Sequence, residues 1–140
     1  PGADDWLAYA LDRLDRAYAD QVYPDGAHAE LSTHYQRVIA LNYQGLLNLL
    51  RQSGRADLAA RWEPRVDRLW RYVAAVMTPS GGNPLNNDSD HENYVGLLRR
   101  HAPALLDLPP ATTHFPWAGQ TVFRGGASGA EWAFFEAGPR

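Results

Sequence analysis

The sequence predicts a mainly α chain of long antiparallel helices, followed by the first strands of an antiparallel sheet, with the change near His114. Three observations carry this. Apolar residues recur every three or four positions through most of the first hundred residues. Clusters of Gly, Pro, Asn and Ser interrupt that rhythm at intervals suited to helix ends. After Pro109-Pro110 the rhythm gives way to two short β-prone runs around a glycine-rich turn.

Taken in order, Asp4 and Asp5 stand where caps and first-turn acids belong. Trp6, Leu7, Ala10, Leu11, Leu14, Ala17 and Tyr18 then follow at helical spacing, and Tyr23-Pro24-Asp25-Gly26 ends this helix with turn chemistry. Ser32 is the predicted N-cap of a second helix running to about Gln52, with Val38, Ile39, Leu41, Leu46, Leu49 and Leu50 among its apolar positions. Ser53-Gly54 closes it, Gly54 suiting a left-handed cap. The third helix is predicted from about Asp57 to Met77, on a stripe of Leu58, Trp62, Val66, Leu69, Tyr72, Val73 and Val76. Pro64 lies inside it and predicts a kink or break near Glu63. Residues 78–90 read as a loop, 92–100 as a shorter helix, and 104–108 as one further turn. Runs 120–124 and 131–135, joined by Gly125-Gly126-Ala127-Ser128-Gly129, read as a hairpin. No internal repeat is visible.

Composition narrows the function classes. The chain has 140 residues, 45% hydrophobic and 21% charged, as an ordinary globular protein does. A net charge of −3 does not suggest a nucleic-acid partner, which would favour a basic patch. No apolar run reaches a membrane-span length. Without cysteine, disulfides and thiolate metal sites are excluded. Five Trp and seven Tyr suit a core, the commoner use of such residues, and also a cleft where ring faces stack on sugars. The Pro-Gly-Ala opening and the close directly after a strand-like run give the expectation of an internal piece of a longer protein.

Two segments concentrate reactive side chains. The first, from Tyr23 to Arg37, gathers His28, Glu30, His34, Tyr35 and Arg37 around one helix start. Tyr35 falls three residues after the predicted cap, where free backbone N–H groups and the helix dipole favour a developing phenolate. Arg37 suits an anion. His34 and Tyr35, as neighbours, point about 100° apart on a helix and are not expected to face one substrate squarely together. A first-turn tyrosine also serves as a boundary residue with its hydroxyl in water, and spacing alone does not decide for catalysis. The second segment is Asn86-Asn87-Asp88-Ser89-Asp90-His91-Glu92, whose acids suit a hard cation or a sugar hydroxyl. It lacks the Gly and distal Glu of a calcium loop, and spacing favours a polar loop in which Ser89 or Asp90 caps the next helix. His101 and His114 read as structural or solvent-facing.

Taken together, the landmarks resemble the heparinase II/III and oligoalginate-lyase superfamily of polysaccharide lyases. Residues 23–35 are similar to its segment of Asp-Gly, an acid, a Ser and a catalytic Tyr at a helix start. Asn83-Pro84 with Asn87-Asp88-Ser89-Asp90 resembles its Pro-x-x-Gly-Asp-Ser-Asp loop, with Asn87 where Gly is usual. Residues 115–124 are similar to the stretch entering its sandwich, with Trp117 where Asp is frequent, and 134–139 to the strand before its Gly-His-Gly-His-Ala-Asp motif.

The resemblance implies the end of an incomplete (α/α) toroid, residues 1–113, and the start of a β-sandwich, residues 114–140. It implies β-elimination on uronic-acid polysaccharides such as alginate or heparin-like chains, with Tyr35 as acid or as acid and base. A nearby cation would let it act as base. Arg37, His28, Glu30 and His34 are the implied substrate-binding set, with His28 and Glu30 either touching substrate or bracing the loop. The implied partner is an acidic polysaccharide or oligosaccharide, with no nucleic acid and no membrane, in the periplasm or outside the cell. No cofactor or metal is implied within this segment. The upstream Asn-His pair, the sandwich His and the metal ligands of some relatives would lie outside it, so the piece alone is expected to be inactive, and loose or aggregation-prone. Two other readings stay open: a toroidal glycoside hydrolase using Glu30 with Asp88 or Asp90, and a helical protein-interaction module.

Overall fold

The structure is a computed structural model that describes residues 2–126 and 129–138. Four α-helices come first: α1 (Ala3–Gln21), α2 (Thr33–Gln52), α3 (Ala56–Val76) and α4 (Tyr94–His101). A 3₁₀ turn (Pro103–Asp107) leads into strands β1 (Thr113–Phe115), β2 (Gln120–Gly125) and β3 (Glu131–Glu136). These form one antiparallel sheet in the order β1-β2-β3. The mainly α reading with a following antiparallel sheet is therefore the observed one. Ala127, Ser128 and Pro139, which belong to the predicted hairpin turn and the last motif, lie outside the described residues.

Local chemistry accounts for the helix ends. The Asp5 carboxylate accepts the Gly2 N–H at 2.8 Å, so α1 begins with Gly2 as its cap and both Asp4 and Asp5 in its first turn. Ser32 caps α2 as the sequence predicts, accepting the Tyr35 N–H at 3.4 Å. Gly54 sits at φ +69° after the last turn of α2, and the three-residue link to α3 makes the two helices antiparallel neighbours.

Two expectations are corrected. Helix α3 runs without interruption through Pro64. Pro64 and Ala60 are both exposed, so the carbonyl that loses its N–H partner can be hydrated instead. Helix α4 starts at Tyr94 rather than Glu92, because Asn93 caps it by accepting the Gly96 N–H at 2.8 Å; neither Ser89 nor Asp90 does. Strand β1 is an addition, since three residues carry too little alternation to be read from sequence.

The core lies between α2 and α3 and is rich in aromatic rings. Trp62 is fully buried, stacked on Tyr43 at 5.2 Å, with the Tyr18 ring edge-on at 6.0 Å. Arg65 lies over Trp62 at 4.6 Å and, with Arg61, holds Asp15 of α1. Toward its start α1 is more exposed, with Trp6 and Tyr9 each 61% exposed, though Leu7 and Leu11 stay half-buried and Asp4 lies 4.0 Å from Arg55. The sheet does not float free of the helices. Phe115, Ala118 and Val122 join the same buried cluster, Phe115 meets Tyr72 at 4.7 Å, and the Arg124 side chain donates to the Ala75 and Met77 carbonyls at the end of α3. Among the described residues no helix is long and apolar enough to cross a membrane.

Candidate active site

The two reactive segments of the sequence meet in space. The residue that joins them is Asn83, buried in the loop after α3. Its amide N–H groups donate to Thr33 Oγ1 at 2.9 Å, to the Pro84 carbonyl at 3.2 Å and to the Asp90 carbonyl at 3.0 Å, while its Oδ1 accepts the Glu92 N–H at 2.8 Å. Thr33 donates to the Pro84 carbonyl at 2.6 Å, and its own carbonyl accepts the Tyr94 hydroxyl at 2.6 Å. Ser32 donates to the Asp88 carbonyl at 2.7 Å, and Ser89 Oγ sits 3.1 Å from both Ser32 Oγ and Thr33 Oγ1. Ser89 therefore belongs to the start of α2, not to α4. Buried polar groups this densely paired hold a loop in one place, because any slip strands several donors and acceptors away from water.

Held in this way, the 88–92 loop faces the first turn of α2. The Tyr35 hydroxyl donates to Asp88 Oδ2 at 3.4 Å. Its ring is partly covered while its hydroxyl stands in solvent. The Asp88 charge raises the phenol above its usual range, with smaller contributions from desolvation, the Asp88 hydrogen bond, Glu30 and Asp90. The charges that act on this phenol are carboxylates, and they make its proton harder to remove. The cation that would make it a base is not what faces it: Arg37 is turned to Glu92, its Nε 2.8 Å from Oε1. His34 Nδ1 lies 3.2 Å from the same Glu92 oxygen and 4.0 Å from Asp90 Oδ2. Neither nitrogen has the alignment of a hydrogen bond, so these are close ion-pair contacts of loose geometry. His34 and Tyr35, which the sequence sets about 100° apart, lie edge to face at 5.3 Å, and both meet the same loop, Tyr35 at Asp88 and His34 at Asp90 and Glu92.

The other sequence candidates separate. Glu30 is exposed beside Tyr35. His28 is 94% buried, the complement of its 6% exposure, with its backbone N–H on Gln36 Oε1 at 2.7 Å. Burial lowers its pKa, against a smaller opposing effect of Glu30. Gln36 also donates to the Gly26 and Leu69 carbonyls, so it ties the Asp25-Gly26 turn to α3. Gly26 is required there: its φ is +93°, and a Cβ would stand 2.8 Å from the Arg68 carbonyl oxygen. Asp25 accepts the Trp117 and Ala118 N–H groups at 2.8 and 3.1 Å, seating the β1–β2 turn on the same loop. His101 stacks on Trp70 at 5.1 Å and His114 bonds Thr121 at 2.8 Å, both as structural residues.

Sequence reading missed Asn83 as organiser, Asp88 as partner of Tyr35, and Glu92 as partner of His34 and Arg37. The acids were visible as a cluster, but only the fold shows which side chain each one meets. Among the described residues no three His, Asp or Glu side chains converge as metal ligands do.

The comparisons with known proteins agree with this architecture. The family described as Heparinase II/III N-terminus matches residues 2–117. A solved heparinase III structure superposes with a TM-score of 0.80 at 22% identity, over 99% of this chain and 25% of that one. The chain thus spans a quarter of the length of that solved protein. No curated protein sequence matches it.

Proposed function

We propose that this chain, which belongs to the heparinase II/III family, is the tyrosine-bearing part of a polysaccharide lyase that cleaves uronic-acid polysaccharides by β-elimination. The observation supporting this most is the Tyr35 hydroxyl: solvent-facing, on the first turn of a capped helix, and kept protonated by Asp88.

In β-elimination a base takes the C5 proton beside the uronate carboxylate, the C4–O bond breaks, a C4–C5 double bond forms, and the departing oxygen needs a proton. Tyr35 is the donor in this reading, for a raised phenol gives up its proton only when the acceptor becomes strongly basic, as a leaving alkoxide does. The Asp88 contact favours the acid role over the base role, since a carboxylate disfavours the phenolate. Arg37 offers the uronate carboxylate its remaining N–H groups while Glu92 holds its Nε side. Glu30 and His34 border the phenol as substrate contacts, and His28, being buried, braces the loop. We place the change from helical to sandwich domain at β1 (Thr113–Phe115), around the 113/114 boundary the sequence suggests, and the enzyme in the periplasm or outside the cell.

The test of reaction class is product chemistry. The intact parent, given alginate or heparan-like chains, is expected to release ends carrying the ultraviolet absorbance of a C4–C5 double bond. New reducing ends without that absorbance would overturn the lyase reading in favour of hydrolysis by Glu30 with Asp88 or Asp90.

A further inference from the structure

The last residue of β3 reaches across the molecule to the site. Glu136 Oε2 accepts from Asn86 Nδ2 at 2.9 Å and Oε1 from Asn87 Nδ2 at 3.0 Å. The same two amides also donate to the Leu31 carbonyl, at 2.7 and 2.8 Å. Leu31 and Asn87 are the two described non-glycine residues in the left-handed region, at φ +54° and +50°. Such backbone persists where surroundings over-determine it, and here the surroundings are one carboxylate and one carbonyl sharing two amides. Glu136 is itself fixed: Gln120 Nε2 donates to its Oε2 at 2.8 Å, and the fully buried Tyr72 hydroxyl donates to Gln120 Oε1 at 2.5 Å. A continuous chain of hydrogen bonds therefore leads from α3 through β2 and β3 to Asn87, the residue before Asp88.

We infer that Glu136 is a positioning residue for Tyr35: by clamping Asn86 and Asn87 onto Leu31 it fixes Asp88 against the phenol, so the sheet completes the site. The structural part stands on the contacts alone; its catalytic consequence rests on the lyase reading. The clamp has a chemical requirement. Three amide NH2 groups point at Glu136, from Asn86, Asn87 and Gln120, so only a side chain with two acceptor oxygens satisfies them. A glutamine would turn its own NH2 toward a donor.

Tyr35 reports the outcome directly. The charged and titratable groups facing it are Asp88 and Asp90 from the loop, Glu30 from the segment before α2, and the neighbouring His34. The experiment is a pH titration of the tyrosine rings of the intact parent protein, labelled with carbon-13 at Cζ, with the Tyr35 signal assigned by its loss in Tyr35→Phe. In Glu136→Gln the Tyr35 midpoint is expected to fall toward that of a free phenol, and in Glu136→Asp, one methylene shorter, by less. In an Asp88→Asn background Glu136→Gln is expected to produce no further shift. An unchanged midpoint in folded Glu136→Gln, or an equal shift without the Asp88 charge, would overturn the inference. Should Glu136→Gln fail to fold, Asn87→Gly decides, since glycine keeps the left-handed backbone and removes only the amide. A lowered midpoint then supports the clamp and an unchanged one refutes it. An active Tyr35→Phe parent would remove the lyase role of Tyr35 and leave this titration intact, so the two failures are distinguishable.

Discussion

The α2–α3 core and the seam around Asn83 hold the molecule together by different physics. The core is Trp62, Tyr43, Tyr18, Leu69, Val73 and Val76, where stability grows with the apolar area removed from water and with ring stacking. The seam is Ser32, Thr33, Asn83, Ser89 and the Tyr94 hydroxyl, where, apart from the buried Tyr94 ring, little apolar area is gained and each group instead has an assigned partner. Area is forgiving about small displacements and hydrogen bonds are not. The core therefore makes the fold, and the seam sets where Tyr35 and Asp88 stand.

Both regions contain buried tyrosines, which gives the broadest test. Burial raises Tyr43 to about 12 in the core and pushes Tyr94 up at the seam, with Tyr18 and Tyr72 in the core raised as well. Each has a folded pKa above its unfolded value of about 10, so its contribution is complete below pH 10 and is lost as pH rises through the folded value. Stability is expected to fall steeply from about pH 10 upward, by about 1.4 kcal/mol per pH unit for each such tyrosine, as denaturant melts at stepped pH will show. A flat profile to pH 12 would mean the rings are not buried as described.

Next in size is Trp62→Ala, which empties the centre of the core and is expected to cost about 3–5 kcal/mol. Asn83→Ala is expected to cost less, about 1–3 kcal/mol, because it strands buried partners without opening a large cavity. The contrast sharpens when local order is read beside stability. Amide exchange in Asn83→Ala is expected to speed at residues 84–92 and at the start of α2 and not in α3, whereas Trp62→Ala loosens α3 itself. Equal loosening of both regions by Asn83→Ala would break the distinction.

The same division explains what the sequence made legible. The helices and the Ser32 cap follow from local periodicity and local hydrogen bonding, and the α3 stripe is buried almost as read, but Trp6 of α1 and Leu49 of α2 are exposed and α2 buries Ala40, Tyr43 and Leu47 beside Leu50. Pro64 does not break α3, because whether a freed carbonyl can meet water is decided by the fold and not by the local sequence. Tyr35 was legible through its place three residues after the cap. Its partner was not, for Asp88 lies 53 positions away and no spacing links the two. For the same reason Ser89 looked like a cap for α4 and is instead part of the Thr33 network. Glu136, at the end of an amphipathic strand, carried no sign in its neighbours that it meets Asn86 and Asn87.

The most direct measurement of the central claim is turnover by the intact parent carrying Tyr35→Phe. The ring and its packing remain, so circular dichroism and melting are expected to be unchanged. The departing oxygen loses its proton donor, and kcat is expected to fall by about 10²- to 10⁴-fold. A folded Tyr35→Phe parent that releases unsaturated ends at the wild-type rate would contradict the assignment of Tyr35 as the acid.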